Sequence, residues 1–410
     1  MDKRVKFECI EQLKKDGPPV IIVTTVRESE AVANACKANG IKVTAFCDTE
    51  KRKTIDKFCG LEVIHTPDLP KRFSDARFIV ASHHIRDVDR QLTEMGYNEF
   101  YSALELLKKY KVDNYKHLIS QSYMKSRIES YKKTHEAYFD DNKLYMRSVD
   151  VMVTTKCSLK CESCSNLMQY YKAPEDSDDI RTLEALEILS QNVDDISEFR
   201  IIGGEPLMNR NWSKIVKGII NNNPKRKIYV YTNGTIAPKD EQLKSFNNND
   251  VNFIITDYGK LSRNSDKLIE KLNNHGITYV RTPAENWLDC GTIKQHKRNV
   301  SELEEVFKQC CVKYVYTLLN GKLYRCPFIA NADNLKAIPN NPVNYVDLFS
   351  KKNNVKLQLK KMMQVAKFFP GCDFCVGRPY DPSTKVGYDG RGMIKPAIQA
   401  SNTLDYKVFK

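Results

Sequence analysis

Three cysteines in one short stretch, Cys157, Cys161 and Cys164, have the spacing C-x-x-x-C-x-x-C. A [4Fe–4S] cube is normally held by four thiolates. Three thiolates leave one iron without a protein ligand, and an open metal position is where substrate chemistry takes place in catalytic metal sites. The spacing predicts an iron–sulfur cluster with one open iron. A zinc knuckle is the alternative that these cysteines alone leave open.

Three further motifs each follow an apolar, strand-like run. They are Gly203-Gly204-Glu205-Pro206 after 198–202, Thr232-Asn233-Gly234 after 227–231, and Thr256-Asp257-Tyr258-Gly259 after 251–255. Residues at the carboxyl ends of neighbouring parallel strands meet at one edge of a sheet. The paired glycines allow backbone to approach a ligand closely, although a turn that merely needs glycine would show the same pair.

The cysteine triad and these motifs, in this order, resemble the radical S-adenosylmethionine (radical SAM) superfamily. The resemblance implies that the open iron chelates the methionine moiety and that an electron from the cluster cleaves the sulfonium. The resulting 5′-deoxyadenosyl radical abstracts hydrogen from substrate. It further implies that the G-G-E-P motif meets the methionine amino group, with Glu205 as acceptor. The T-N-G motif and Asp257 would lie near the cofactor, its ribose or the substrate.

The order of the elements predicts an α/β protein with several domains. Strands alternate with helices over 1–110, which predicts a parallel, Rossmann-like sheet. Residues 111–148 form a polar, helical connector. Residues 149–285 predict a partial (β/α)6 barrel, and 286–410 a smaller C-terminal domain. The barrel strands are predicted at 148–155, 198–202, 227–231, 251–255 and 277–281, with helices near 182–192, 211–222, 240–247 and 265–275.

The N-terminal domain resembles the small nucleotide-binding-like domain of surface-polysaccharide biosynthetic proteins, with one departure. Its first strand–helix turn lacks the glycines of a dinucleotide fingerprint. Glu28 and Glu30 would repel a pyrophosphate there. Dinucleotide binding is therefore not expected, whereas docking, substrate presentation and structural support all stay open.

The cysteines and histidines of this domain can be explained without a functional role. Its four cysteines lack ligand-like spacing and are expected to be buried apolar residues; they are Cys9, Cys36, Cys47 and Cys59. His83 and His84 follow a predicted strand. They could sit in a crevice at the sheet's carboxyl edge, but a helix start on the surface is the interpretation we favour.

A second cysteine set lies in the C-terminal region. Cys311 is followed by Gly321 and Cys326 at the spacing C-x9-G-x4-C, and Cys372 and Cys375 form a later C-x-x-C pair. Asn320-Gly321 favours a type I′ turn joining strands at 314–319 and 322–324. This pattern resembles the SPASM and twitch auxiliary-cluster domains, and a single C-x-x-C favours the twitch form with one [4Fe–4S] cluster.

Two questions about the second set stay open at the level of sequence. Cys310 also satisfies the spacing and is the alternative first ligand to Cys311. A four-cysteine zinc site is the alternative to a cluster.

The chemistry that follows hydrogen abstraction is open between two outcomes. Cys290 belongs to neither cysteine set and is a candidate hydrogen donor for an epimerase, with a packed cysteine as the alternative. A dehydrogenase would instead pass an electron to the auxiliary cluster. Resemblance to twitch dehydrogenases of aminocyclitol biosynthesis favours oxidation of a carbohydrate or nucleotide-linked sugar. Modification of a ribosomally made peptide, or a non-enzymatic iron–sulfur scaffold, are the alternatives.

The amino-acid composition limits which partners and which location are expected. The formal charge of +14 favours anionic substrates and an acidic flavodoxin- or ferredoxin-type electron donor. It is spread along the chain rather than concentrated in arginine-rich runs, so nucleic acid is not an expected partner. No apolar run is long enough for a membrane span. Thirteen cysteines without an export signal indicate reduced thiols and a cytoplasmic location.

Overall fold

The computed structural model describes residues 4–49, 56–108, 110, 121–223, 226–246, 251–284, 287–288, 291–310, 312–351, 354–377, 380–381, 386–387, 393–394, 399–400 and 402–409. The chain divides into two compact units, Met1–Tyr145 and Met146–Lys410. Each contains a sheet in which parallel strand pairs predominate. The predicted α/β class is confirmed. None of the described helices is long and apolar enough to cross a membrane.

The first unit alternates strands with helices. Its strands are β1 Val5–Lys6, β2 Val20–Val23, β3 Val43–Asp48, β4 Lys57–Phe58, β5 Leu61–His65, β6 Arg77–Val80 and β7 Glu99–Ser102. Its helices are α1 Ile10–Lys14, α2 Arg27–Ala38, α3 Leu69–Arg72, α4 Ile85–Glu94, α5 Leu104–Lys108 and α6 Gln121–Phe139.

The strand order of this unit is β1-β7-β6-β2-β3-β5-β4, and every described pair is parallel except β4 with β5. The central strand β2 reads Val-Ile-Ile-Val and is buried throughout, as expected for a strand covered on both faces. Successive residues point to opposite faces: Ile21 belongs to one apolar core and Ile22 to the other. Helices therefore cover both faces of the sheet.

Two predictions for this unit were wrong in part. Cys9, Cys36 and Cys47 are buried, but Cys59 is exposed, because it sits with φ 50° in the tight turn between β4 and β5. His84 is an exposed residue that precedes α4, as expected. The side chain of His83, in contrast, is only 9% exposed and places Nδ1 3.5 Å from Glu28 Oε1.

The loop after β2 is occupied by a side chain of the protein itself. Glu28 is fully buried, and its Oε1 lies 2.6 Å from Nε of Arg127 on α6. This ion pair occupies the Arg127 guanidinium, and the absence of glycines still argues against pyrophosphate binding.

The second unit contains the predicted βα repeats and the C-terminal elements. Its strands are β8 Tyr145–Met152, β9 Asp195–Ile202, β10 Lys227–Thr232, β11 Val251–Asp257, β12 Thr278–Pro283, β13 Trp287–Leu288, β14 Tyr316–Leu319, β15 Lys322–Tyr324, β16 Tyr345–Asp347, β17 Tyr380–Asp381, β18 Val386–Gly387 and β19 Met393–Ile394. Its helices are α7 Asp179–Asn192, α8 Trp212–Asn222, α9 Asp240–Leu243, α10 Ser265–Asn274, α11 Val300–Gln309, α12 Pro327–Asn334 and α13 Val355–Lys360, with a π-helical turn at Lys361–Val365.

An eight-stranded sheet runs through this unit in the order β12-β11-β10-β9-β8-β14-β15-β16. Strands β9 to β12 pair in parallel in chain order. The next parallel partner is β14, which pairs with β8 in the register Tyr316 with Val149. The sheet therefore continues across residue 285, where the sequence analysis places a domain boundary.

The predicted hairpin joins β14 to β15. Asn320 has φ 51° and Gly321 φ 79°, the paired positive values that a type I′ turn requires. A Cβ on Gly321 would also lie 2.3 Å from the Phe349 ring. The turn brings residues before β14 and after β15 to the same end of the hairpin, which is where the second cysteine set begins.

Candidate functional site

A cavity of about 380 Å³ opens at the carboxyl ends of β8 to β11, within the size range of small-molecule sites. All three cysteines of the first triad line it. Its walls are formed by Asp150, Cys157, Leu159, Cys161, Cys164, Ser165, Asn166, Arg200, Ile202, Gly203, Gly204, Tyr231, Thr232, Asn233, Thr256, Tyr258, Val312, Val315 and Pro327.

The loop after β8 that carries the triad is held by its own backbone and by β9. Cys164 N donates to Cys161 O at 3.1 Å. Asn166 Nδ2 donates to Gly203 O at 3.0 Å, which ties the loop to the strand that carries the glycine pair. These hydrogen bonds hold the loop in a concave shape, in which the three cysteine sulfurs face the cavity.

The donor set fits an iron–sulfur cluster with one open iron. Burial raises the pKa of the Cys157 thiol, and the neighbouring Cys164, Glu205 and Cys161 charges raise it further. Thiolates in such surroundings need a compensating cation, which cluster iron supplies. The sulfurs surround the cavity instead of meeting at one point: in the described part of the chain, no three His, Cys, Asp or Glu side chains are grouped as a metal site.

Both glycines of the G-G-E-P motif are required because their backbone lies too close to the triad loop to leave room for a side chain. A Cβ on Gly203 would lie 2.5 Å from Thr154 O, and one on Gly204 would lie 2.3 Å from Lys156 O and 2.6 Å from the Cys157 Cβ. Gly204 N and Glu205 N donate to Thr154 O and Lys156 O at 3.1 and 2.8 Å. Any side chain at either glycine would push the cysteine loop away.

Glu205 is fully buried and does not line the cavity. Its carboxylate accepts hydrogen bonds from Leu207 N at 3.1 Å, Thr232 Oγ1 at 2.9 Å and Asn233 N at 2.7 Å. Burial nevertheless raises its pKa to about 7. Glu205 therefore ties the G-G-E-P motif to the T-N-G motif. Three of about four acceptor positions of the carboxylate are used by these bonds.

The T-N-G motif supports the triad loop from the other side. Asn233 Nδ2 donates to Ser158 Oγ at 3.2 Å and lies 3.8 Å from Cys157 Sγ. Gly234 has φ 69°, and Ser262 Oγ donates to Asn233 O at 2.6 Å. Thr232 and Asn233 line the cavity together with the cysteines. Pro206 is buried and begins a short 3-10 turn, Pro206–Met208.

Asp257 does not line the cavity. Its Oδ2 accepts from Arg281 Nε at 2.9 Å and its Oδ1 from Gly259 N at 2.8 Å. Its neighbours Thr256 and Tyr258 line the cavity instead. Burial and the charges of the three triad cysteines raise the pKa of the Tyr258 hydroxyl, so it stays protonated.

The sequence analysis missed a polar group on the inner face of the sheet. Arg200 Nε donates to Asp150 Oδ1 across β9 and β8, and both line the cavity with Tyr231. Burial raises the pKa of Asp150 to about 6 although Arg200 lowers it. The alternation Glu198-Phe199-Arg200-Ile201 carries the signal, since the two charged side chains share one face.

The second cysteine set is brought together from three places in the chain. Cys310 ends α11, Cys326 precedes α12, and Cys372 and Cys375 belong to a 3-10 turn at Pro370–Phe374 and the residue after it. Burial raises the pKa of the Cys372 thiol, and the nearby charges of Cys326, Cys310 and Cys375 raise it further. The four thiols are therefore close enough for their charges to act on one another, although no three of these described residues are grouped as a metal site. Cys311 lies outside the described residues.

Arg298, which the sequence analysis also missed, fixes the C-x-x-C turn. Its Nη1 donates to Cys372 O at 3.1 Å and Cys375 O at 2.8 Å, and its Nη2 to Val376 O at 3.3 Å. Arg298 N donates to Asp373 Oδ1 at 2.8 Å. Pro327, next to Cys326, lines the cavity, so Cys326 of the second cysteine set lies near the wall of the cavity that the first set lines.

Cys290 lies outside the described residues. Its neighbour Gly291 packs against the triad loop: a Cβ there would lie 2.6 Å from Gln169 Nε2 and 2.8 Å from Glu162 O. Gln169 Nε2 donates to both Glu162 O and Gly291 O, at 3.0 and 3.1 Å.

Comparison with known proteins agrees with this site. Residues 151–322 match the family model described as the radical SAM superfamily, so this part of the chain is a radical SAM domain and the predicted resemblance is confirmed to that extent. Membership implies a [4Fe–4S] cluster and S-adenosylmethionine as cofactors. A search of curated proteins finds no significant match.

Several solved structures are similar over part of the chain. BtrN in complex with AdoMet and 2-DOIA is 17% identical with TM-score 0.37, over 58% of this chain and 98% of that one. Native anSMEcpe with bound AdoMet is 12% identical with TM-score 0.38, over 54% and 82%. Streptococcus suis SuiB bound to S-adenosylmethionine is 16% identical with TM-score 0.29, over 48% and 45%. At these values the substrates of those proteins have no bearing on this chain.

Proposed function

We propose that the radical SAM domain at 151–322 reductively cleaves S-adenosylmethionine and abstracts a hydrogen atom from a substrate carbon. The observation that carries the proposal is one cavity lined by Cys157, Cys161 and Cys164, with the glycine pair docked directly on their loop. When bound, the cluster and S-adenosylmethionine supply a 5′-deoxyadenosyl radical. The protein holds the three sulfurs, leaves the fourth position open and provides a concave wall of restricted solvent access.

The substrate class follows from the polar inner face of the sheet. Arg200, Asp150 and Tyr231 line the cavity beside the triad, and Thr256 and Tyr258 add hydroxyl groups. A guanidinium binds hydroxyl and phosphate groups and a carboxylate binds hydroxyl groups, whereas both disfavour an apolar ligand. We therefore propose a carbohydrate or nucleotide-linked sugar as substrate, with surface-polysaccharide biosynthesis as the setting that the N-terminal domain favours.

Net oxidation of a secondary alcohol is the outcome we favour over epimerisation. A substrate C–H hydrogen would leave as an atom to give 5′-deoxyadenosine. The hydroxyl proton and one further electron must then leave to form the ketone. An acceptor for that electron is therefore needed near the cavity. Cys326, Cys372 and Cys375, with Cys311 or Cys310 as the first ligand, would hold a twitch-type auxiliary cluster there.

A low-potential electron donor is the partner that this chemistry requires. The formal charge of +14 favours an acidic protein of the flavodoxin or ferredoxin type. No nucleic-acid partner is proposed, and the cytoplasm, where such donors and reduced thiols occur, is the proposed location.

The proposal is tested with anaerobically reconstituted protein, dithionite and S-adenosylmethionine. We expect slow formation of 5′-deoxyadenosine without substrate and faster formation with the correct sugar or sugar nucleotide, measured by liquid chromatography. Stimulation by small peptides instead would favour peptide modification. A fully loaded, reduced protein that forms no 5′-deoxyadenosine, even with lysate as a source of substrate, would refute the enzyme proposal.

Glu205→Gln is expected to weaken S-adenosylmethionine binding by roughly 10- to 100-fold, because an amide cannot accept hydrogen bonds at both ends and so loosens the T-N-G motif that lines the cavity. The pKa of Glu205 is raised from its ordinary 4.5 to about 7 by burial. The ionised form that accepts at both oxygens is therefore lost as pH falls through about 7. Wild-type affinity should decline below that pH, while the affinity of the variant should stay flat.

Anaerobic calorimetry between pH 6 and 8.5, a window set around that pKa of about 7, measures both effects. Glu162→Gln is the matched control, because Glu162 is an exposed residue of the triad loop. Equal affinity of Glu205→Gln and wild type across the window would remove the proposed role of Glu205.

Turnover in D₂O separates oxidation from epimerisation. A thiol donor exchanges its hydrogen with water, so an epimerase using Cys290 would place deuterium on one substrate carbon, and Cys290→Ala would trap or divert the radical. Oxidation would leave no deuterium at the carbonyl carbon and would tolerate Cys290→Ala. We expect the second result by mass spectrometry. Deuterium in a product of unchanged oxidation state would reverse the assignment.

A further inference from the structure

The C-terminal segment, residues 399–400 and 402–409, crosses the triad loop. Gln399 forms an isolated antiparallel bridge with Cys161, and Ala400 N donates to Lys160 O at 2.7 Å. Lys160 Nζ donates to Thr403 Oγ1 at 2.7 Å, and Leu404 N donates to Gln169 O at 2.9 Å. Residues more than 230 positions apart in sequence are thus joined along one loop.

The side-chain amide of Gln399 contacts two groups of this loop. Its Oε1 accepts from Lys160 N at 2.6 Å, and its Nε2 donates to Cys161 Sγ at 3.3 Å. Because Lys160 N can only donate, it fixes which end of the amide is oxygen. The amide N–H group is thereby directed at the cysteine sulfur, and Cys161 is only 6% exposed.

The other end of the segment reaches the second cysteine set. Phe409 N donates to Lys336 O, two residues past α12, at 2.8 Å. The Phe409 ring meets that of Phe374, between Cys372 and Cys375, edge to face at 5.6 Å. The segment is therefore held at both ends by elements that carry cluster ligands, which limits its freedom to leave Cys161.

We propose that Gln399 is a positioning residue that sets the reduction potential of the cluster held by the triad. A donor directed at a cluster sulfur stabilises the more negative, reduced state, and hydrogen bonds to sulfur together with solvent exposure are principal determinants of cluster potential. The inference rests on the proposed function, because it presupposes a cluster at Cys157, Cys161 and Cys164. A purely structural role would need the contacts of Ala400 and Leu404 but not a donor aimed at Sγ.

Two substitutions at Gln399 separate the electrostatic effect of its amide on the cluster potential from the effect of its side chain on packing. Gln399→Leu removes the donor, and we expect a roughly tenfold smaller equilibrium constant for cluster reduction, about 59 mV for one electron. Gln399→Glu keeps the acceptor for Lys160 N but places negative charge beside Sγ, so we expect a larger shift in the same direction. Thr403→Val is the control, since it loosens the segment without touching sulfur and should leave the potential unchanged.

The readout is an anaerobic redox titration that follows the electron paramagnetic resonance signal altered by S-adenosylmethionine. Wild-type potential in both Gln399 variants would overturn the proposal, as would an equal shift in Thr403→Val. If Gln399→Leu fails to retain its cluster, the potential of Gln399→Glu tests the proposal, because this variant keeps the hydrogen bond from Lys160 N. Failure of the proposed function looks different: wild-type protein would then give no signal that responds to S-adenosylmethionine.

Discussion

Cys161→Ala is expected to abolish formation of 5′-deoxyadenosine. The three thiols of the triad are the whole protein ligand set of the proposed cluster, and Cys161 lies in the middle of the loop that lines the cavity. Two remaining thiolates cannot hold a [4Fe–4S] cube that already lacks one protein ligand. The measurement is chromatographic quantification of 5′-deoxyadenosine after reduction with dithionite, alongside iron analysis.

Cys59→Ala is the matched control for this loss. Cys59 is an exposed free cysteine in a turn of the first unit, so its replacement changes the thiol count without touching either cysteine set. We expect wild-type activity and iron content from it. Residual 5′-deoxyadenosine formation by Cys161→Ala at more than a small fraction of the wild-type rate would contradict the assignment of Cys161 as a ligand.

The parts of the site that the sequence could predict are those encoded by local spacing. Three cysteines within eight residues predict one loop with three thiols, and paired glycines after a strand predict either a close approach or a tight turn. The structure supplies the partner of that approach, since the atoms that would meet each Cβ belong to Thr154, Lys156 and Cys157. Local pattern therefore predicts that a contact exists, while the three-dimensional arrangement determines what is contacted.

Side-chain direction could not be predicted in the same way. Glu205 follows β9 and Asp257 ends β11, yet neither lines the cavity. Glu205 accepts bonds from the T-N-G motif, and Asp257 binds Arg281 on β12. Each partner comes from a neighbouring strand, so the orientation depends on strand register rather than on local sequence. The Arg200–Asp150 pair joins β9 to β8 and was missed for the same reason.

In the fold, as in the site, local features could be predicted from the sequence and contacts between distant residues could not. The alternation of strand and helix patterns locates the βα units to within a few residues, since the strands predicted at 227–231 and 251–255 are β10 Lys227–Thr232 and β11 Val251–Asp257. Pairing of β14 with β8, which joins residues more than 160 positions apart, has no local signature. Which strands pair depends on residues that are far apart in the sequence. The β14–β8 pair is such a case, and through it the hairpin continues the sheet of the βα units.

Replacement of the second cysteine set is expected to remove about half of the bound iron. Reconstituted wild-type protein should carry about eight irons, two cubes of four, and Cys372→Ala about four. Cys372 is the informative position because its thiol is surrounded by the charges of Cys326, Cys310 and Cys375. Formation of 5′-deoxyadenosine without substrate should persist, whereas oxidation of substrate should fail for want of an electron acceptor.

Single replacements at Cys310 and Cys311 then identify the first ligand. Spacing permits either residue, with Cys311 as the prediction from sequence. We expect Cys311→Ala to lose about four irons and Cys310→Ala to keep them. The opposite pattern would make Cys310, whose charge raises the pKa of the Cys372 thiol, the first ligand. Zinc bound at this site, with about four irons remaining at the triad, would refute the auxiliary cluster while leaving the radical SAM site intact.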